Sequence, residues 1–247
     1  MSAQKIDIET QDGIANAYLA APDDGERHPG VLLIMDAFGL RPQIERMVDR
    51  IAARGFVVLA PNVFYRAGRT PVPPIPDLSD ASKRGAFFAT LMPLMQGLTS
   101  ELIVRDGAAY IEALENAAQG PIAVVGYCMG GRVGWRIAAA FPDHVAALGA
   151  FHTGGLVTEE DDSPHLSADR LDAEVYLGHA DNDENMTPEQ IAALEGALED
   201  AGVAHRSELY EGAAHGYTMA DTPVYDEAAA ERHFGELFAL LDRTIGA

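Results

Sequence analysis

Few residues in this chain are equipped for covalent chemistry. Among its 247 residues there is one cysteine, Cys128, set in Gly126-Tyr127-Cys128-Met129-Gly130-Gly131. An apolar run ends at Val125 just before it and a helical pattern begins near Gly131 just after it, so the thiol sits on a strand–turn–helix junction. Flanking glycines let a strained turn pack tightly and push the central side chain out at the carboxyl end of a sheet. A helix amino terminus there favours a thiolate over a thiol and offers free N–H groups to an oxyanion. Those are the requirements of acyl transfer. Inert packing is the common fate of a free cysteine, but glycines at both flanking positions would arise by chance roughly one time in a hundred.

Such a nucleophile needs an acid and then a histidine later in the chain. Of the eight histidines, His215 stands in Tyr210-Glu211-Gly212-Ala213-Ala214-His215-Gly216-Tyr217, after the last predicted strand and before the last helix, among small residues that leave room for an imidazole. His152 and His179 also follow strands and are its rivals, whereas His28, His205 and His233 are badly placed. The acid is expected in the loop 179–188, where Asp181, Asp183 or Glu184 could orient the imidazole. Asp36 directly follows a buried apolar run, where a carboxylate is expensive without a purpose, so it too is expected at the site.

The elements that must position these groups alternate along the chain. Strands are predicted at 5–9, 14–19, 31–35, 55–60, 122–126, 145–151, 175–178 and 207–210, the first two as an antiparallel hairpin. Helices are predicted at 42–54, 99–118, 130–141, 188–201 and 224–241, with Pro42 and Pro188 in first turns, Thr187 and Thr222 as caps, and Gly55, Gly120 and Gly202 at far ends. This is an α/β pattern around a mostly parallel sheet of about eight strands with helices on both faces, read as one domain over 1–247. Residues 61–76, rich in glycine and proline and carrying Arg66 and Arg69, read as a long excursion over the sheet edge.

Composition narrows the function classes. Seventeen basic residues, of which only Lys5 and Lys83 are lysines, stand against 38 acidic ones, a formal net charge of −21. Without a basic patch, nucleic acid and anionic membrane are poor partners. One cysteine excludes internal disulfides and cysteine-rich metal centres. The start of the chain lacks the apolar core of a signal peptide, and no apolar run approaches the roughly 20 residues of a membrane span. A cytoplasmic location is expected.

The chain resembles the dienelactone hydrolase family, a cysteine-nucleophile branch of the α/β-hydrolases, over nearly its whole length. The resemblance lies in the Cys128 elbow, Ala60-Pro61 closing a strand, Ser163-Pro164-His165, the acid loop ending at Pro188, and Glu211 to Tyr217. It implies an α/β-hydrolase fold with Cys128 as nucleophile, His215 as base and Asp183 as its partner, Asp181 being the alternative. It also implies an oxyanion hole from the amides of Met129 and of Ala37 or Phe38, and a contact of Asp36 with the resting thiol, where the family usually has glutamate. No metal and no organic cofactor is expected, and the implied partner is a small-molecule ester or lactone. Relatives that cleave dienelactone clamp its carboxylate with arginines, one of them at the position of Met219. Arg84, Arg66 or Arg69 could serve instead, and Tyr127 is a further candidate for substrate binding. The alternative from another class is a non-catalytic binding protein on the same fold, which predicts a missing triad member.

Overall fold

The computed structural model describes residues 1–69, 76–77 and 80–246, apart from the side chains of Ala81 and Arg84. An eight-stranded sheet runs through it in the order β1-β2-β4-β3-β5-β6-β7-β8. β1 (Ser2–Thr10) and β2 (Gly13–Ala21) form the expected hairpin, and β2 also pairs antiparallel with β4 (Val57–Pro61). From β4 onward all pairs are parallel, through β3 (Pro29–Ile34), β5 (Gln119–Tyr127), β6 (Val145–Phe151), β7 (Glu174–Ala180) and β8 (His205–Tyr210). The continuous apolar runs form the strands covered on both faces: Val31 to Ile34 and Ile122 to Val125 have no exposed surface.

The described residues form six helices: α1 (Pro42–Ala52), α2 (Ala81–Gln96), α3 (Ser100–Glu115), α4 (Met129–Ala140), α5 (Pro188–Asp200) and α6 (Glu227–Thr244). α1 packs on β2 and β4, and α6 on β6 and β7, while α3 and α4 pack together over β3, β5 and β6. Thr187 caps α5 in a reciprocal pair with Gln190. Thr222 does not cap α6, because its hydroxyl is spent on the Met219 carbonyl at 2.8 Å; Asp226 accepts from the Ala229 amide and starts the helix later than its pattern suggested. α2 has no counterpart among the predicted helices, since it carries no single apolar stripe and contains Pro93. Among the described residues no single helix is long and apolar enough to cross a membrane.

Within the 61–76 excursion, residues 70–75 lie outside the described residues. Its first part is held down rather than free: Arg66 pairs with Asp106 and Asp12, and Arg69 with Asp7. Strand order reverses between β3 and β5, and at such a switch point the loops leaving the carboxyl ends diverge to open a crevice. Asp36 follows β3 there, and Cys128 follows β5.

Candidate active site

Cys128 is held with φ +53° and ψ −122°, a left-handed region that costs energy for any residue with a Cβ. The glycines around it make the turn possible. A Cβ on Gly126 would collide with the Gly130 carbonyl, one on Gly130 with the carbonyls of Ile34 and Met35, and one on Gly131 with the Thr153 side chain. The Cys128 amide donates to the Phe151 carbonyl at 3.0 Å, locking the turn onto β6. Among the described residues the amide of Met129, first in α4, has no hydrogen-bond partner, and neither has that of Ala37. Phe38 is excluded as a second donor because its amide is taken by Asp36 Oδ1 at 3.0 Å.

The structure brings His215 and Asp183 to the thiol. His215 Nε2 lies 3.0 Å from Cys128 Sγ, and Nδ1 lies 2.5 Å from Asp183 Oδ2. Burial alone would depress the imidazole, but hydrogen bonds to Asp183 and Cys128 outweigh it and push its pKa up to about 10. Asp183 behaves in the complementary way: burial opposes its charge, yet His215 and two hydrogen bonds from Asn185 hold its carboxyl below the usual range. The competing acids have other places. Asp181 accepts from the Gly212 amide at 2.9 Å, bracing the loop that carries His215, and Glu184 is exposed.

The rival histidines are likewise separated from the thiol. His179 is buried and its Nε2 meets Ser207 Oγ at 3.1 Å. His152, itself at φ +39°, lies beside the site with its ring 5.4 Å from that of His215, but its Nε2 meets Thr218 Oγ1 at 2.8 Å and its Nδ1 has no partner. Burial, reinforced by His215, keeps it well below the usual histidine range, so it is neutral.

A cavity of about 1030 Å³ opens over the thiol, lined by Cys128, Met129, Ala37, His215, Asp36 and a mainly apolar wall. Several sequence expectations are corrected here. Tyr127 has no exposed surface; it stacks on Phe151 and its hydroxyl meets His233 Nε2 at 2.9 Å, so it presents nothing to a ligand. Arg66 and Arg69 do not line the cavity, because their charges are spent on Asp106, Asp12 and Asp7. The side chain of Arg84 lies outside the described residues. Met219 does line it, buried and uncharged. Asp36 also lines it, but its carboxylate turns to Arg41, with contacts of 2.6 and 3.0 Å, and makes no hydrogen bond to Cys128. Sequence reasoning missed Arg41, Asp221 and Asn185. No spacing signal could reveal the first two as partners, since 180 positions separate them.

A strained elbow at the carboxyl end of a mainly parallel sheet, with a histidine on the loop after the last strand, defines an α/β-hydrolase. The model of the dienelactone hydrolase family matches residues 15–245, and the chain belongs to that family and is a hydrolase. Among its relatives, a carboxymethylenebutenolidase of Rhodococcus opacus is 29% identical over 218 residues, which cover 87% of this chain and 81% of that protein. A Klebsiella pneumoniae protein assigned as a dienelactone hydrolase has the same fold, with a TM-score of 0.85 at 20% identity and 98% of both chains covered. A dienelactone hydrolase-like promiscuous phosphotriesterase from metagenomic libraries superposes with a TM-score of 0.77 at 22% identity, covering 99% of each chain.

Proposed function

We propose that this protein hydrolyses carboxylic esters or lactones through a thioester on Cys128, with His215 and Asp183 as its proton-handling pair. The observation that carries the reading is the continuous line from Asp183 Oδ2 to His215 and on to Cys128 Sγ, at 2.5 and 3.0 Å. Its three members lie in the chain order nucleophile, acid, histidine. The similarity to the Rhodococcus opacus carboxymethylenebutenolidase favours the lactone side of this class.

In the first step Cys128 Sγ, its proton held on His215 Nε2, attacks the carbonyl carbon, the carbonyl π pair moves to oxygen, and the amides of Met129 and Ala37 receive the developing oxyanion. As the tetrahedral adduct collapses, the carbon–oxygen single bond of the ester breaks. The His215 Nε2 proton passes to the leaving oxygen, giving an alcohol, or a ring-opened hydroxyl that stays on the acyl chain when the substrate is a lactone. Neutral His215 then takes a proton from water, whose oxygen attacks the thioester, and collapse breaks the carbon–sulfur bond, releases the acid and leaves His215 protonated beside the freed Sγ. Asp183 holds Nδ1–H throughout and so fixes which nitrogen faces sulfur. None of these steps requires a metal or an organic cofactor.

The test is hydrolysis of p-nitrophenyl acetate with iodoacetamide titration of the single thiol. Activity should fall in proportion to labelling and vanish at one label per chain. Full activity after complete labelling would remove Cys128 from the reaction.

A further inference from the structure

We infer that Arg132 is the anion-binding residue of the cavity, and that the substrate is an ester with a long apolar body and a carboxylate at its far end. The inference rests on the proposed reaction at Cys128 and adds the substrate class. Small-molecule sites span roughly 300–1,000 Å³, and at about 1030 Å³ this cavity is far larger than a compact lactone needs. Phe38, Phe88, Met92, Met95, Leu98 and Val157 supply apolar wall for an extended chain or ring system. Arg132 is the only Arg or Lys among the described lining residues.

Its circumstances are those of a guanidinium waiting for a partner. It is half-buried and makes no hydrogen bond or ion pair among the described residues. Two charged groups that feel its charge, Arg136 and Asp162, are paired with each other at 3.2 Å. The acidic lining groups do not serve it: Asp36 is held by Arg41, and Glu159 is exposed and makes no ion pair among the described residues. Arg132 is also the fourth residue of α4, where the helix dipole disfavours a cation. The backbone of Gly155 runs along its stem, so that a Cβ there would lie 3.7 Å from Cδ and Nη1. A partly desolvated cation without a partner is costly, and a carboxylate matching its two-pronged donor edge removes that cost. A doubly charged phosphate would call for more cations than this wall provides. Elsewhere a chain of net charge −21 repels an anion, which makes the position of this one arginine decisive.

The experiment separates binding from turnover. Calorimetry on the intact protein compares suberic acid monoamide, an anion, with octanamide, its uncharged counterpart of equal length; neither is an ester. Relative to wild type, Arg132→Met should weaken the anion against the amide at least fivefold, Arg132→Lys should fall between, and Glu159→Gln should leave the anion bound as tightly or more tightly. Unchanged thermal melting shows that the variants are folded. A change in the ratio below fivefold, or no measurable binding of the anion to wild type, overturns the inference. Turnover of mono-4-nitrophenyl suberate and 4-nitrophenyl octanoate is then measured. If wild type cleaves neither while the binding ratio moves as expected, the reaction at Cys128 fails and the Arg132 site stands. If both are cleaved and the ratio does not move, the converse holds.

Discussion

Arg41 grips both carboxylate oxygens of Asp36, Nη1 to Oδ1 at 2.6 Å and Nη2 to Oδ2 at 3.0 Å, with both side chains almost wholly buried. The other edge of the same guanidinium holds Asp221, at 2.6 Å from Nε and 3.0 Å from Nη2. One side chain thus ties the loop that carries the Ala37 amide to the loop that follows His215. Asp36, expected beside the thiol, is instead turned away from it, and His215 is left as the partner of Cys128.

Removing Arg41 should therefore cost stability. Arg41→Met leaves a buried carboxylate without its counter-charge, a loss of about 3–5 kcal/mol in such pairs. Adding Asp36→Asn removes the stranded charge, so the double variant should recover part of the loss in urea denaturation. A double variant no more stable than the single one would show that the pair is not what holds this loop.

Asp183 is set to act through His215 rather than on substrate. Asp183→Asn keeps the shape but reverses which imidazole nitrogen carries the proton. We expect kcat for p-nitrophenyl acetate to fall by about 10³–10⁴ while KM changes little. A loss below tenfold would mean that Asn185 or solvent orients the ring equally well.

The raised pKa of His215 has a consequence for stability. The folded chain holds this proton up to about 10, whereas an ordinary histidine releases it near 6.5. The extra stability is complete below the lower value and is lost as pH rises through the higher one. Unfolding free energy should decline between about pH 6 and about pH 10, and His215→Asn should flatten that decline. An identical decline in the variant would assign it to other groups.

The elbow makes a packing prediction. Gly131→Ala pushes a methyl group into Thr153, an overpacking that costs about 1–3 kcal/mol. Thr153→Ala opens the space, so the double variant should be more stable than the sum of the two single losses predicts. Strict additivity in thermal melts would place the strain elsewhere in the turn.

The sequence by itself determined the alternation of strands and helices, the strand–turn–helix setting of Cys128 and the loop of His215. These are legible because burial on two faces writes continuous apolar runs, and a strained turn between strand and helix admits only glycine at its crowded positions. It also narrowed the acid to one loop. The family resemblance favoured Asp183, but only the tertiary structure shows Asp183 facing the imidazole while Asp181 braces the Gly212 amide, since the two stand two positions apart in one acidic loop. The same limit applied to Asp36, whose burial was foreseen but whose partner was not. It applied to Tyr127, which adjoins the elbow in sequence yet points into the core. It applied as well to Arg132, one turn along α4, whose lack of an ion-pair partner among the described residues emerges only when the surrounding loops are in place. Backbone preference and burial are local and leave a periodic trace. Which side chain meets which across 180 residues is set by the crossing of elements, and one-dimensional spacing carries no record of that.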